Sequence, residues 1–96
     1  MPLTFSHRVT AAPDVLFRLL GDEAVIVNLR TEKYLGLNPV GARMWNVLTT
    51  APSIESAYDT LLGEYQVDAS ELRRDLAEFV EDLSAQQLID IGTSVA

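Results

Sequence analysis

The sequence predicts an α+β fold in which a small antiparallel sheet precedes three helices. Two observations carry this prediction. The first part of the chain contains short apolar runs bounded by turn-forming residues, and from Asn38 onward the apolar residues recur at helical spacing. The 96 residues suit one domain and are too few for two. We expect a single domain over residues 1–96, with residues 1–12 as a weakly structured N-terminal extension or a short strand.

Three short segments in the first half of the chain have the character of strands. Val15–Leu20 lies between turn-forming residues, and Ala24–Leu29 is rich in β-branched residues. Tyr34–Leu37 is the third segment and follows a short polar connection. Strands this close in sequence pair through hairpins, because a parallel crossover needs many more residues. We therefore predict a three-stranded antiparallel meander. Leu3–Val9 alternates weakly and is a candidate for a further short strand.

Three helices follow, and each has a recognisable first residue. Asn38 before Pro39 is typical of an N-cap and a first helical position. Ser53 is an N-cap candidate for the second helix. Asp68, with Glu71 three residues later, forms a capping box for the third.

The apolar stripes of these helices predict the faces that they bury. Their members are Val40, Met44, Trp45, Val47 and Leu48 in the first helix, Ile54, Ala57, Tyr58, Leu61, Leu62 and Tyr65 in the second, and Leu72, Leu76, Phe79, Val80 and Leu83 in the third. We expect Trp45 to anchor the first helix to the sheet. Leu88–Gly92 is predicted to be a last strand or a packed tail. This order of elements resembles a winged-helix arrangement with its sheet placed first.

The charge distribution excludes nucleic acid as a favoured partner. The net charge is −7, and residues 53–96 carry two arginines against ten acidic residues. Nucleic-acid binding draws much of its affinity from Lys and Arg on phosphates. No apolar run approaches the ~20 residues that span a bilayer, and the N-terminus lacks the features of a secretory signal. We therefore expect a cytoplasmic protein without a membrane partner.

The sequence contains few residues or motifs that could support catalysis. The chain has no cysteine and one histidine, so it has neither a thiolate nucleophile nor a cluster of histidine metal ligands. Acid pairs such as Glu81-Asp82 are better explained as a solvated helix face than as general acid and base. No glycine-rich phosphate-binding pattern occurs. We predict a protein that is not an enzyme, with no catalytic residues, metal or cofactor.

The predicted sheet offers a different kind of function. Its outer strands have unpaired backbone groups, and such an edge is a template on which an extended peptide adds as a further strand. This signal is generic, because most small sheets have edges that bind nothing.

A more specific signal lies at residues 28–45, which read NLRTEKYLGLNPVGARMW. This segment resembles the PqqD-like family, whose pattern is N-L-x-T-x-x-Y followed by L-N-x-x-G-x-x-x-W. The resemblance extends from about Val15 to Ile91. It implies a sheet-first winged-helix fold without DNA binding. It also implies a recognition element that holds the leader of a ribosomally made precursor peptide for separate modifying enzymes.

Free-standing members of about this length occur in lasso-peptide pathways. The partners that this resemblance implies are the leader peptide, a separate leader peptidase and a macrolactam synthetase. Two alternatives stay open. One is a peptide chaperone for a radical enzyme in pyrroloquinoline quinone-type synthesis, and the other is a winged-helix structural or interaction subunit.

The resemblance also implies where the leader lies, which is along the third strand of the meander and against the third helix. The matching strand residues are Lys33, Tyr34, Leu35, Gly36 and Leu37, and the matching helix residues are Arg74, Asp75, Glu78, Phe79 and Asp82. Leu37 and Phe79 are alternatively core residues. Arg74 and Glu78 are alternatively a helical ion pair. We expect the leader to add as an antiparallel strand, and we expect the acidic flank of the helix to favour leaders with basic or neutral groups nearby.

Overall fold

Three strands form the predicted antiparallel meander at the front of the chain. The computed structural model describes residues 5–93. Its elements in chain order are β1 (His7–Ala11), β2 (Val15–Leu20), β3 (Glu23–Asn28), β4 (Tyr34–Leu37), α1 (Pro39–Thr50), α2 (Ile54–Glu64), α3 (Ala69–Ala85) and β5 (Ile89–Thr93). The meander has the order β2-β3-β4. The predicted fold class, a three-stranded antiparallel sheet followed by three helices, is confirmed.

The hairpins of the meander explain where its strands end. Leu20 pairs with Glu23 across a tight turn, where Gly21 adopts a φ of 72° that glycine tolerates without steric cost. The second strand was predicted to end at Leu29 and ends one residue earlier. The N–H of Leu29 still donates to the carbonyl of Asp14 at 2.8 Å, but Asp14 adopts a φ of 65°, which is not extended, so β2 and its pairing begin only at Val15.

A second sheet joins the two ends of the described chain. β1 pairs antiparallel with β5, and Val9 lies opposite Ile91. Val9 is buried, whereas its neighbours in β1 are at least partly exposed. The short strand predicted within Leu3–Val9 lies later, at His7–Ala11, and residues 3 and 4 of that prediction fall outside the described part. The last strand predicted at Leu88–Gly92 is found as β5.

All three predicted N-caps are confirmed by their hydrogen bonds. Asn38 Oδ1 accepts from the N–H of Gly41 at 2.8 Å, and Ser53 Oγ accepts from the N–H of Ser56 at 3.1 Å. Asp68 Oδ1 accepts from the N–H groups that begin α3. Each bond satisfies a backbone donor that has no partner within its own helix.

The apolar stripes pack α1 against the meander and α2, and they pack α2 and α3 against each other and against the β1–β5 pair. Trp45, Leu48, Leu61, Leu76 and Val80 are among the buried members of one continuous core. Val40 is an exception, since the sequence predicted it in the stripe of α1 and its side chain is 43% exposed. No described element covers the first turn of α1 at this position. None of the helices within residues 5–93 is long and apolar enough to cross a bilayer.

Trp45 joins α1 to the sheet as predicted. Its side chain is 5% exposed, and its ring stacks on Phe17 of β2 with centroids 6.2 Å apart and planes 5° from parallel.

Replacing Trp45 with alanine should therefore destabilise the fold by about 3–5 kcal/mol, since it removes a large buried ring and leaves a cavity. Urea unfolding followed by circular dichroism measures this loss. Tyr34→Ala is the matched control, because Tyr34 is 67% exposed and surface changes usually stay within about 0.5 kcal/mol. Equal stabilities of the two variants would contradict the anchoring role.

Candidate functional site

The outer edge of β4 is free among the described residues, because β4 is the last strand of the meander. Its side chains alternate between two faces. Leu35 and Leu37 lie opposite the buried residues Ile26 and Ala24 of β3, so they face the core. Leu37 is buried and Leu35 is half-buried. Tyr34 and Gly36 face the opposite side of the sheet and are exposed.

The hydrogen bonds of β4 decide which of its backbone groups face outward. The N–H of Asn28 donates to the carbonyl of Lys33 at 2.8 Å. In an antiparallel ladder, bonded pairs recur every second residue, so Leu35 and Leu37 also turn their backbone groups toward β3. Tyr34 and Gly36 consequently direct their N–H and C=O groups toward the free edge. Backbone N–H groups on a strand alternate in direction, so the sequence alone allows either Lys33, Leu35 and Leu37 or Tyr34 and Gly36 to face the leader, and the register selects the second set.

A bulge at the start of β4 fixes this register. The carbonyl of Asn28 accepts from the N–H of Glu32 at 2.8 Å, while the N–H of Asn28 donates to Lys33. Two residues thus oppose one, and Glu32 adopts a φ of 64°, in the left-handed region found in bulges of this kind.

The side chain of Asn28 holds this hairpin to the end of α3. Asn28 is fully buried, and its Nδ2 donates to the carbonyl of Gln87 at 2.8 Å. Its Oδ1 accepts from the N–H groups of Arg30 at 2.9 Å and Thr31 at 3.2 Å. The amide therefore bonds on both sides and joins the turn before β4 to the residue pair that follows α3.

Two contacts place α3 alongside β4. The Asn28–Gln87 bond brings the C-terminal end of α3 to the start of β4. At the other end, Leu72 and Asp75 of α3 line a cleft together with Val40, which follows β4 by three residues. The helix therefore runs in the opposite direction to the strand. We call the space between the free edge of β4 and α3 the groove.

The N-terminal segment determines which flank of α3 faces this groove. The guanidinium of Arg73 lies 4.0 Å from the centre of the Phe5 ring and 5.3 Å from that of Tyr58. It also pairs with Glu55 of α2 at 3.3 Å. The Arg73 flank is thus packed against α2, and the opposite flank of α3 is left open.

The helix residues proposed from the resemblance divide between the open flank and the solvent face. At helical spacing, Asp75, Phe79 and Asp82 follow the open flank, where Phe79 is half-buried against the core and the two aspartates are exposed. Glu78 lies further round, and Arg74 points away from the core. Arg74 Nε lies 3.9 Å from Asp75 Oδ1. The alternative Arg74–Glu78 ion pair is not formed among the residues described.

A cleft continues the groove beyond the end of β4. It has a volume of about 410 Å³ and lies between α1, the α2–α3 connection and the first turns of α3. Its apolar lining comes from Val40, Met44, Tyr65, Val67 and Leu72, and its polar rim from Gln66, Asp68, Glu71 and Asp75. Hydrogen bonds from Ser70 and from the backbone N–H of Glu71 hold the pKa of Asp68 below its ordinary value, so this carboxylate is committed to the N-cap.

Sequence reasoning missed two parts of this site. Asn28 was recognised only as part of a pattern, although a buried asparagine before a turn is a usual sign of side-chain bonding to the backbone. Val40 was assigned to the core and instead lines the cleft. An apolar residue in the first turn of a helix was the available signal, since fewer elements cover a helix end.

A known protein family matches more than half of the chain. The family model described as "Coenzyme PQQ synthesis protein D (PqqD)" matches residues 23–89. A search of the curated proteins finds no significant match.

Two solved structures are similar in fold. One is described as "TbiB1 in Complex with the TbiA(beta) Leader Peptide", with 32% identity, a TM-score of 0.74, and coverage of 84% of this chain and 94% of that chain. The other is described as "Lasso peptide synthetase B1 complexed with the leader peptide", with 22% identity, a TM-score of 0.70, and coverage of 88% and 98%.

Removing the Asn28 amide should loosen the hairpin specifically. Asn28→Ala leaves buried partners without hydrogen bonds, which should cost about 1–3 kcal/mol, and amide hydrogen exchange should rise in β4 and at the end of α3. Asn46→Ala is the matched control, because Asn46 is exposed on α1. Exchange that rises uniformly across the chain, or not at all, would show that Asn28 does not hold β4 to α3.

Proposed function

Since the chain belongs to the PqqD family, we propose that it is a non-catalytic protein that binds the leader segment of a ribosomally made precursor peptide. The leader adds to the edge of β4 as an antiparallel strand and lies in the groove between β4 and α3. The observation that carries this proposal is the pair of outward-facing backbone positions, Tyr34 and Gly36, on a free edge beside an open helix flank.

In strand addition the backbone of β4 supplies affinity and the side chains beside it supply selectivity. Backbone groups at Tyr34 and Gly36 supply affinity to any extended peptide. Selectivity comes from the groove, where Leu35 and Phe79 are both half-buried and packed against the core. Apolar leader side chains bury against this pair. Tyr34 points to the other face of the sheet, so it contributes through its backbone and not to the same pocket.

The similar structures support the choice of ligand. Both are described as complexes with a leader peptide, and the first shares 32% of its residues with this chain over most of both chains. We extend the proposal to a role in lasso-peptide biosynthesis, in which the protein delivers the bound precursor to a separate leader peptidase ahead of a macrolactam synthetase.

A second candidate follows from the description of the family itself, which names coenzyme PQQ synthesis. In that case the bound peptide is presented to a radical enzyme. The two candidates share the β4 site and differ in the enzyme that receives the peptide. The reading frames beside the gene discriminate between them, because a peptidase and an asparagine-synthetase-like protein belong to the first and a radical enzyme to the second.

A proline scan of β4 tests strand addition. Proline removes the backbone donor, so Tyr34→Pro and Gly36→Pro should weaken binding by roughly tenfold or more through lost hydrogen bonds and edge distortion. Leu35→Pro removes a donor that faces β3 and should instead disrupt the sheet. The ligand is a synthetic peptide with the leader sequence of a precursor encoded beside this gene. Isothermal titration calorimetry measures its affinity, and fluorescence of the single tryptophan reports whether each variant is folded.

Gly36→Ala is the matched control, because a Cβ at this position meets nothing within 4 Å and the N–H is kept. It should bind far more tightly than Gly36→Pro. Unchanged affinity in a folded Gly36→Pro variant would mean that the leader binds elsewhere.

Delivery can be tested separately from binding. The protein alone should leave the precursor intact by mass spectrometry. With the separate peptidase present, it should accelerate cleavage, because tethering the leader raises its effective concentration. Gly36→Pro should lose this acceleration while the peptidase keeps its basal rate. Equal acceleration by the wild-type protein and by Gly36→Pro would exclude delivery through this edge. Cleavage of the precursor by the repurified protein alone would exclude a non-catalytic role.

A further inference from the structure

The cleft beyond β4 exposes apolar surface that nothing in the described chain covers. Val40 is 43% exposed and Val67 is 49% exposed, and both line the cleft. Beneath them, Met44 and Leu72 are 8% and 5% exposed and form a buried floor. The space of about 410 Å³ is ample for one large apolar side chain.

The carboxylates at the rim of this cleft lack strong cationic partners. Arg43 on α1 is engaged by Glu64, to which its Nε donates at 2.8 Å. Asp75 has only the loose contact of 3.9 Å with the exposed Arg74, and Glu71 forms no ion pair within residues 5–93. The two side chains are one helical turn apart on α3, a like-charge spacing that is unfavourable for the helix itself.

The position of the cleft relative to β4 determines which end of a bound peptide reaches it. β4 leads through Asn38 into the first turn of α1, where Val40 lies. A peptide strand antiparallel to β4 begins beside Leu37, at this end of the strand. Residues that precede the paired part of such a peptide therefore reach the cleft, and residues that follow it run toward the Asn28 hairpin.

We infer that this cleft is a specificity subsite for an apolar side chain with an adjacent Lys or Arg, located in the bound peptide on the N-terminal side of its strand-paired residues. The apolar side chain fills the space between Val40 and Val67, and the basic residue pairs with Glu71 and Asp75. The inference rests on the proposed function and adds to it the class of sequence that the site selects.

Selection from random peptides tests this without knowledge of the natural precursor. An mRNA-displayed library of random linear peptides is selected against the full chain and against Glu71→Gln/Asp75→Asn. A third selection uses Asp59→Asn/Glu81→Gln, a control with the same change in net charge at exposed positions on α2 and α3. The wild-type chain and the control should enrich Lys or Arg beside an apolar residue, and the Glu71/Asp75 variant should lose the basic preference.

Individual enriched peptides then show how much affinity the carboxylates contribute and on which side of the strand-paired residues the basic residue lies. Affinity should fall roughly three- to tenfold in the Glu71/Asp75 variant, as expected for exposed ion pairs, and the difference should shrink at high salt. Replacing the basic residue by norleucine should remove the difference. N-methylation along the peptide locates its strand-paired residues, and the basic residue should precede them.

Failure of the subsite and failure of the proposed function give different results. Enriched peptides that bind through β4, shown by their loss with Gly36→Pro, but that lack a basic residue or carry it after the paired segment would overturn the subsite alone. A selection that enriches no peptide, or only peptides that bind Gly36→Pro equally well, would overturn the proposed function and the subsite with it.

Discussion

The amide of Asn28 is the contact on which the geometry of the site depends. Apolar packing favours burial without fixing direction, whereas this buried amide bonds to the hairpin on one side and to Gln87 on the other. It joins the turn before β4 to the residues that follow α3. Because the groove lies between these two elements, its width at the hairpin end follows from a single side chain whose bonds are short and directional.

The opposite flank of α3 is fixed by the N-terminal segment. Phe5 and Tyr58 pack edge to face at 6.1 Å, Arg73 stacks over both rings, and the carbonyl of Phe5 accepts from the N–H of Glu55 at 2.8 Å. With one flank held against α2, the rotation of α3 is determined, and its acidic flank is turned toward the cleft. A segment distant from the groove thus controls which charges border it.

In the short strand β4, apolar side chains pack against the core while backbone groups remain available at the edge. Leu35 and Leu37 bind the strand to the core, and the backbone groups of Tyr34 and Gly36 stay available at the edge. An open edge invites pairing between copies of a chain. Asp75 and Asp82 are exposed on the open flank of α3. In the proposed binding mode their carboxylates disfavour a second copy of this acidic chain and favour a basic peptide.

The sequence by itself determined the features that depend on neighbours along the chain. The meander, the three helices and the caps at Asn38, Ser53 and Asp68 follow from turn residues, periodicity and hydrogen bonds spanning three residues or fewer, so local patterns were sufficient. Residues Lys33–Leu37 could be named as a candidate edge because the last strand of a meander keeps one side unpaired and the family resemblance implies that the leader lies there. Tertiary structure decided the rest. The β1–β5 pair joins opposite ends of the chain, and the weak alternation of β1 has meaning only once Val9 meets its partner. Periodicity placed Val40 on the apolar face of α1 but could not show that no element covers it. Strand alternation offered two sets of outward donors, and the choice of Tyr34 and Gly36 required the bulge at Glu32, since register is a relation between strands and not a property of either one.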